Sequence, residues 1–482
     1  MKKYIFLLIP FVFACVSESE FIHDPADRSG QKITGQYIVI MEESYMRPII
    51  LEDKRGFSAE EVLAKNIKTR DSNENEIRSF IGTLKQDFLL DFVDTKHEES
   101  IYTDAVVGFE LNLKGDLDKS QLDELRNHPK IASVIQNYIM IILSKPLMQS
   151  KPIMQSRPLM QSNPLMQNDI EMFDLYNFTI ETGLSCAVEA AGGSKLASPD
   201  KSNRVWIIDT GIDVCHPYLN INDSLAKSWI DYEGKFGDSL SINSFEDFNG
   251  HGTHVAGIIG AISNPLSDDN VGWSPKGVSA GAEIIPLKVL DSRGEGTWKG
   301  LLDALEYIGS DNYRDNDVVN ISMGAMNKDS CEDQSSGVRL AIERLASKKV
   351  YIVMSAGNDN KKVSKYFPAC INGENIYTVG AMDCNVDKCS GYSNYGNNQV
   401  DWMAVGTNVL SLWPRPKNCE NCDVDSAGQC INELVYVAMS GTSMSAAVVS
   451  GVIHANEGPP VAVDEVPCHG KKYNVAHLEP IE

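Results

Sequence analysis

Basic side chains are scarce in this sequence: 43 Lys and Arg stand against 66 Asp and Glu, a formal net charge of -23. A phosphate-backbone partner calls for a basic face, so the balance argues against nucleic acid. Long apolar runs are scarce too. The stretch from Tyr4 to about Ala14, behind Met1-Lys2-Lys3, is too short to cross a bilayer and has the charged start and short apolar core of an export signal. Nothing else in the sequence is long and apolar enough for a membrane helix. Cysteine is infrequent, 11 in 482 residues. Apart from Cys15 the cysteines form an even set, Cys186, Cys215, Cys331, Cys370, Cys384, Cys389, Cys419, Cys422, Cys430 and Cys468, which in an exported chain points to disulfides. Two alternatives stand beside these readings. Val12-Phe13-Ala14-Cys15 also fits a lipoprotein cleavage box, which would anchor the chain at the cell surface through Cys15 instead of releasing it. Cys384-x4-Cys389 with Cys419-x2-Cys422 has spacings that can hold zinc, although an oxidising compartment favours disulfides.

The length asks for two folded units with connecting segments. A six-residue unit repeats four times over residues 145–168, beginning Lys145-Pro-Leu-Met-Gln-Ser. Proline every sixth residue removes a backbone donor and blocks a helix, so this segment is an extended linker. Behind a signal over residues 1–20, residues 21–144 read as a small α+β unit. Its strands lie at Gln36–Ile40, Val106–Leu113 and Ile131–Ile135, with a helix-rich stretch near Ile77–Leu90 and a short helix at Ser120–Arg126. Residues 169–482 alternate apolar runs, Val205–Ile208, Glu283–Leu290, Val318–Ile321 and Val350–Met354, with helical stretches at His254–Ala261, Trp298–Ile308 and Ser336–Leu345. That alternation predicts an α/β fold with a mostly parallel sheet covered by helices on both faces, and a site beyond the carboxyl ends of its strands.

Asp209-Thr-Gly-Ile-Asp213 follows the first of these strands, so Asp209 is delivered to that edge; alone, an aspartate there is more often a turn or cap. Asn249-Gly-His-Gly-Thr-His-Val-Ala-Gly257 is more specific, with glycines flanking His251 at the mouth of a helix. His251 suits a general base there, and His254 suits a satisfied core group. Ser440-Gly-Thr-Ser-Met-Ser-Ala-Ala447 places the Ser443 hydroxyl near a helix N-terminus, where partial positive charge favours a developing oxyanion, although Ser440 or Thr442 could serve only as caps.

Together the three motifs resemble the subtilisin-like serine proteases, closest in texture to the proteinase K branch. Their order Asp, His, Ser differs from that of the chymotrypsins and the α/β-hydrolases. The resemblance implies that Ser443 is the nucleophile, His251 the proton carrier and Asp209 its orienting partner. It also implies that Asn358, in Met354-Ser-Ala-Gly-Asn358, donates to the oxyanion. Segments including Gly294 and Gly296, and Ser322, Met323 and Gly324, resemble the two strands that clamp an extended peptide. Ser355, Ala356 and Gly357 imply an uncharged pocket for apolar or bulky P1 side chains. The upstream unit resembles the family's inhibitory prosegment, which implies a precursor with its own intramolecular inhibitor. The expected protein is thus a secreted endopeptidase acting on protein or peptide substrates, a monomer without nucleic acid, needing no cofactor or metal for catalysis; a structural calcium would have ligands that the motifs do not place. Ala447 and Val448 stand where the family has proline and histidine, and Pro459-Pro460 follows soon after. The shortened end leaves an alternative, a catalytically weak binding protein at the surface or wall.

Overall fold

The computed structural model describes residues 29–42, 59–87, 100–142 except 105, the pairs 145–146, 154–155 and 178–179, and 183–480 except 199–201, 231–244, 263–274, 311, 328–330, 332, 334–335, 385–387, 397 and 415–434. The export leader with Cys15, most of the hexapeptide repeats, and Cys419, Cys422 and Cys430 lie outside the described residues.

The N-terminal unit carries strand β1 (Lys32–Met41), helix α1 (Ala59–Asp87), β2 (Ile101–Tyr102), β3 (Gly108–Asn112), α2 (Lys119–Arg126) and β4 (Ile131–Ile142). β1 lies between β3 and β4, antiparallel to both. Ile77, Phe80, Ile81 and Leu84 recur at helical spacing, so one stripe of α1 is buried against Val39, Phe109 and Leu111 of the sheet. α2 begins where Asp118 accepts from the Gln121 amide at 2.9 Å and the Gln121 side chain accepts in return from the Asp118 amide at 3.1 Å. α1 and β4 are both longer than the expected stretches near Ile77–Leu90 and Ile131–Ile135. Of the extra length of β4, Gln136 and Tyr138 still pair with β1, and residues 139–142 pair outside the unit.

The larger unit runs β5 (Val205–Asp209), α3 (His251–Gly260), β6 (Glu283–Lys288), β7 (Glu295–Thr297), α4 (Trp298–Gly309), β8 (Val318–Ile321), β9 (Met323–Met326), α5 (Gly337–Ser347), β10 (Tyr351–Ser355), β11 (Ile376–Met382), β12 (Trp402–Val405), β13 (Val409–Trp413), β14 (Val435–Ser440), α6 (Thr442–Asn456), β15 (Val461–Cys468) and β16 (Lys471–His477). Its main sheet has the order β6-β5-β8-β10-β11-β12-β16-β15, with the two-residue strands Asn220–Ile221 and Lys227–Ser228 parallel to β6 on its outer side. Every neighbouring pair is parallel up to β16, and β15 closes the edge as an antiparallel hairpin partner. Alternate residues of each strand feed opposite cores. Trp206 and Ile208 pack with Trp298, Leu301 and Leu345 of α4 and α5, whereas Val205 and Ile207 pack with Val255, Ile259, Val449 and Val452 of α3 and α6. This is why the strands read as continuous apolar runs.

α6 ends at Asn456, where Glu457 takes a left-handed conformation (φ 55°). The β15–β16 hairpin then supplies the closing element. Cys389–Cys468 ties that hairpin to the loop after β11, and Cys186–Cys384 and Cys331–Cys370 are the other pairs among the described residues. Cys384 and Cys389 therefore have disulfide partners, and the zinc alternative fails for that pair.

Candidate active site

β5 extends one residue past the predicted run, so Asp209 is itself the last strand residue, fully buried at the carboxyl edge. The chain visits β6 on one side of β5 and β8 on the other, and the crevice opens where the direction of winding reverses. α3 starts at His251, earlier than expected, behind Gly250 with φ 105°. Gly252 must be glycine: a Cβ there would stand 2.0 Å from the Gly211 carbonyl oxygen. This close approach brings the start of α3 against the end of β5. The His251 Nδ1 consequently sits 2.8 Å and 2.9 Å from the two Asp209 carboxylate oxygens. A carboxylate only accepts, so Nδ1 carries the proton and Nε2, which is buried and has no hydrogen-bond partner, is the basic nitrogen.

Ser443 lies in the first turn of α6, whose leading N–H groups have no partner inside the helix. Its hydroxyl donates to the Ser322 carbonyl at 3.1 Å, and the Ser322 hydroxyl donates to the Ser443 carbonyl at 3.4 Å. The side chain of Asn358 is oriented from the same turn. The Thr442 amide and hydroxyl both donate to Asn358 Oδ1, each at 2.9 Å, which turns the amide's NH2 group away from Thr442. Gly357 has φ 102°, and its N–H donates to the Thr442 hydroxyl at 3.0 Å. Asn394 braces this segment by donating to the Ala356 carbonyl and accepting from the Asp359 and Lys361 amides. Ser355 and Ala356, at the end of β10, are buried beside it.

Gly294, Gly296, Met323 and Gly324 flank a strand that the chain itself supplies. Thr297, Gly296 and Glu295 of β7 pair with Ile139, Met140 and Ile141 of β4, while Gly324 and Met323 of β9 pair with Ile141 and Ile142. The Ile142 N–H donates to the Gly294 carbonyl at 3.1 Å. Downstream, Lys145 and Pro146 pair with Ser440 and Met439, and Met154 and Gln155 with Tyr436 and Val435, all antiparallel to β14. Tyr138 packs on Trp298 with ring centroids 4.8 Å apart, and the Glu306 carboxylate accepts from the backbone amides of Thr103, Asp104 and Val106. The N-terminal unit is thereby held on α4 with its last strand in the crevice.

His254 is a core residue, as its surroundings in the motif suggested. Its Nε2 donates to the carbonyls of Val409 (3.0 Å) and Val437 (2.9 Å), and burial drives its pKa down to about 3, so it stays neutral. Sequence reasoning missed Asp247, Thr210 and Asn394, and offered Thr442 only as a helix cap, whereas the cap of α6 is Gly441 and Thr442 holds Asn358. Each acts on the site by holding a neighbour, and the only local signal was position within or next to a recognised motif.

Asp209 and His251 are hydrogen-bonded at the carboxyl edge of a parallel α/β sheet, whereas the Ser443 hydroxyl, at the start of α6, bonds to the Ser322 carbonyl and not to His251. The fold and the chain order of the three fit the class of serine hydrolases with an Asp, His, Ser arrangement. Residues 200–455, more than half of the chain, match the family model described as Peptidase S8, Subtilase family, and the chain belongs to that family. Among curated relatives, Subtilisin-like protease 2 of Pseudogymnoascus destructans is 29% identical over 256 residues, covering 53% of this chain and 52% of that one. The Cuticle-degrading protease of Metarhizium anisopliae is 32% identical over 213 residues, covering 43% and 46%. The chain thus spans about half the length of these relatives. A crystal structure of a cold adapted subtilisin-like serine proteinase aligns with a TM-score of 0.40 and 24% identity, covering 56% of this chain and 84% of that one.

Proposed function

We propose that this protein is a secreted serine endopeptidase that hydrolyses extended polypeptides through an acyl-enzyme. The observation that carries the proposal is a polypeptide already threaded through the crevice: residues 139–142 lie extended between β7 and β9, and Lys145 pairs with Ser440 close upstream of Ser443. Main-chain pairing of that kind accepts many sequences. In the reaction, the Ser443 Oγ bonds to the peptide carbonyl carbon while its proton passes to His251 Nε2. The C–N bond then breaks, the proton goes to the leaving amine, and water repeats the sequence to release the acyl group. Asp209 holds the Nδ1–H tautomer and stabilises the imidazolium. The Asn358 amide and the Ser443 N–H receive the oxyanion. No cofactor takes part. Ser355, Ala356 and Gly357 offer an uncharged lining for apolar or bulky P1 groups.

Residues 21–144 act as a prosegment that blocks the crevice until it is cut away. The pairing supports a cut between Ile142 and Lys145, at the start of the repeats, by the chain's own triad. Three disulfides among the described residues agree with an oxidising, extracellular destination, and the mature enzyme works as a monomer. A fluorophosphonate probe tests the core of this reading on the full chain expressed for maturation. Wild-type protein should be labelled at Ser443, and His251→Ala protein should not; an unlabelled mature wild type would overturn it.

A further inference from the structure

Behind the Asp209–His251 pair lies a second buried carboxylate with no part in the chemistry above. Asp247 is 3% exposed, yet five donors converge on it. Its Oδ1 accepts from the Thr210 hydroxyl (2.9 Å), the Asn249 amide (3.0 Å) and the Gly250 amide (2.8 Å). Its Oδ2 accepts from the amide (2.9 Å) and the hydroxyl (2.8 Å) of Thr253. Burial pushes the Asp247 carboxyl up from its ordinary range, opposed by these hydrogen bonds and by the nearby Lys288 ammonium. Lys288 is itself fully buried, donates to the Thr210 carbonyl and lies over the Phe248 ring, so the negative charge has a positive neighbour.

The donors come from both sides of the catalytic pair. Gly250 and Thr253 bracket His251 at the start of α3, and the Asn249 side chain accepts from the His251 amide at 3.2 Å. Thr210 follows Asp209 directly: its amide donates to Asp209 Oδ1 at 2.7 Å, and its hydroxyl, while donating to Asp247, accepts from the Gly252 amide at 2.9 Å. Strand end and helix start thus meet through one carboxylate and one hydroxyl. We infer that Asp247, acting through Thr210, is a positioning residue that sets the distance and angle between Asp209 and His251. A loose joint there would let the imidazole tilt from its working geometry without unfolding either element, and displacements of about an ångström can cost about a hundredfold in rate.

The inference rests on the protease reading, and the experiment keeps the two apart. Thr210→Val preserves shape and removes the joining hydroxyl, Thr210→Ser restores it, and Asp247→Asn removes the charge and one acceptor. For matured full-length chains, Thr210→Val should lower kcat about ten- to a hundredfold with KM changed less than about threefold, and Thr210→Ser should recover most of the loss. In an Asp209→Asn background the same substitution should cost less than about threefold, because the pair it positions is already broken. A loss of equal size in both backgrounds, or no loss in Thr210→Val and Asp247→Asn alike, would overturn the assignment. A second readout needs no turnover. In chains carrying Ser443→Ala and 15N-labelled histidine, the downfield Nδ1–H signal that vanishes with Asp209→Asn should shift upfield or broaden in Thr210→Val and Asp247→Asn. An unchanged signal overturns the positioning role even in a chain that hydrolyses nothing, whereas absence of Ser443-dependent hydrolysis in wild type refutes only the protease reading.

Discussion

Asn358 holds Thr442, and the proposed reaction gives it a second job; two substitutions should separate the two. Its oxygen is the acceptor for the amide and hydroxyl of buried Thr442, and its NH2 group is the donor assigned to the oxyanion. Asn358→Ala removes both. Losing the oxyanion donor should cost about 10²–10³ in kcat, or about 2.7–4 kcal/mol of transition-state stabilisation. Leaving the Thr442 donors without their acceptor should cost about 1–3 kcal/mol of stability. Asn358→Asp keeps an acceptor in place and so should stay within about 1 kcal/mol of wild type, yet it has no N–H and sets a negative charge where another must develop. Its kcat should fall at least about tenfold below that of Asn358→Ala. The two orders are therefore opposed: Ala exceeds Asp in turnover, and Asp exceeds Ala in stability. Turnover is read from a chromogenic peptide with KM measured alongside, and stability from urea unfolding in a Ser443→Ala background that prevents self-digestion. A normal kcat in Asn358→Ala, or equal destabilisation by both substitutions, would refute the orientation of this amide.

Ser443→Ala and His251→Ala should each abolish hydrolysis to a similar extent, and the double variant should be no worse, since such residues act as a unit; additive losses measured with the same peptide would contradict this. N-terminal sequencing should place the start of the mature wild-type chain between residues 143 and 145, with Ser443→Ala remaining uncut, and identical processing of both would show that maturation is not the chain's own work. His254 is held near a pKa of about 3 against an ordinary 6.5, so the unfolded chain binds the extra proton between those values. Stability is thus fully present above about pH 6.5 and is lost toward pH 3, by up to about 1.4 kcal/mol per pH unit from this residue. In urea titrations at stepped pH, His254→Gln should start less stable at pH 7 and show a flatter decline; an unchanged slope would remove His254 as the cause.

Much of the site could be read from local sequence because its parts are local. Val205–Ile208 is apolar at every position, since both faces of a central parallel strand are covered, and that pattern predicts where Asp209 emerges. The glycines around His251 could be recognised because the close approach at Gly252 admits no side chain. Boundaries were less legible. The spacing from Ile131 to Ile135 predicts a short strand, whereas the strand runs to Ile142 because its last four residues pair with β7 and β9, elements distant in sequence that leave no mark on it.

By itself, then, the sequence determined the alternation of strands and helices and the order of the three motif residues, both of which are properties of neighbours along the chain. Only the tertiary structure decided how six of the described cysteines pair, that a hairpin closes the shortened end, that β4 occupies the crevice, and that Asp247 joins the two sides of the Asp209–His251 pair. These depend on groups brought together by packing across long separations. A hydrogen bond from Thr210 to Asp247 has no period or spacing by which a linear reading could find it.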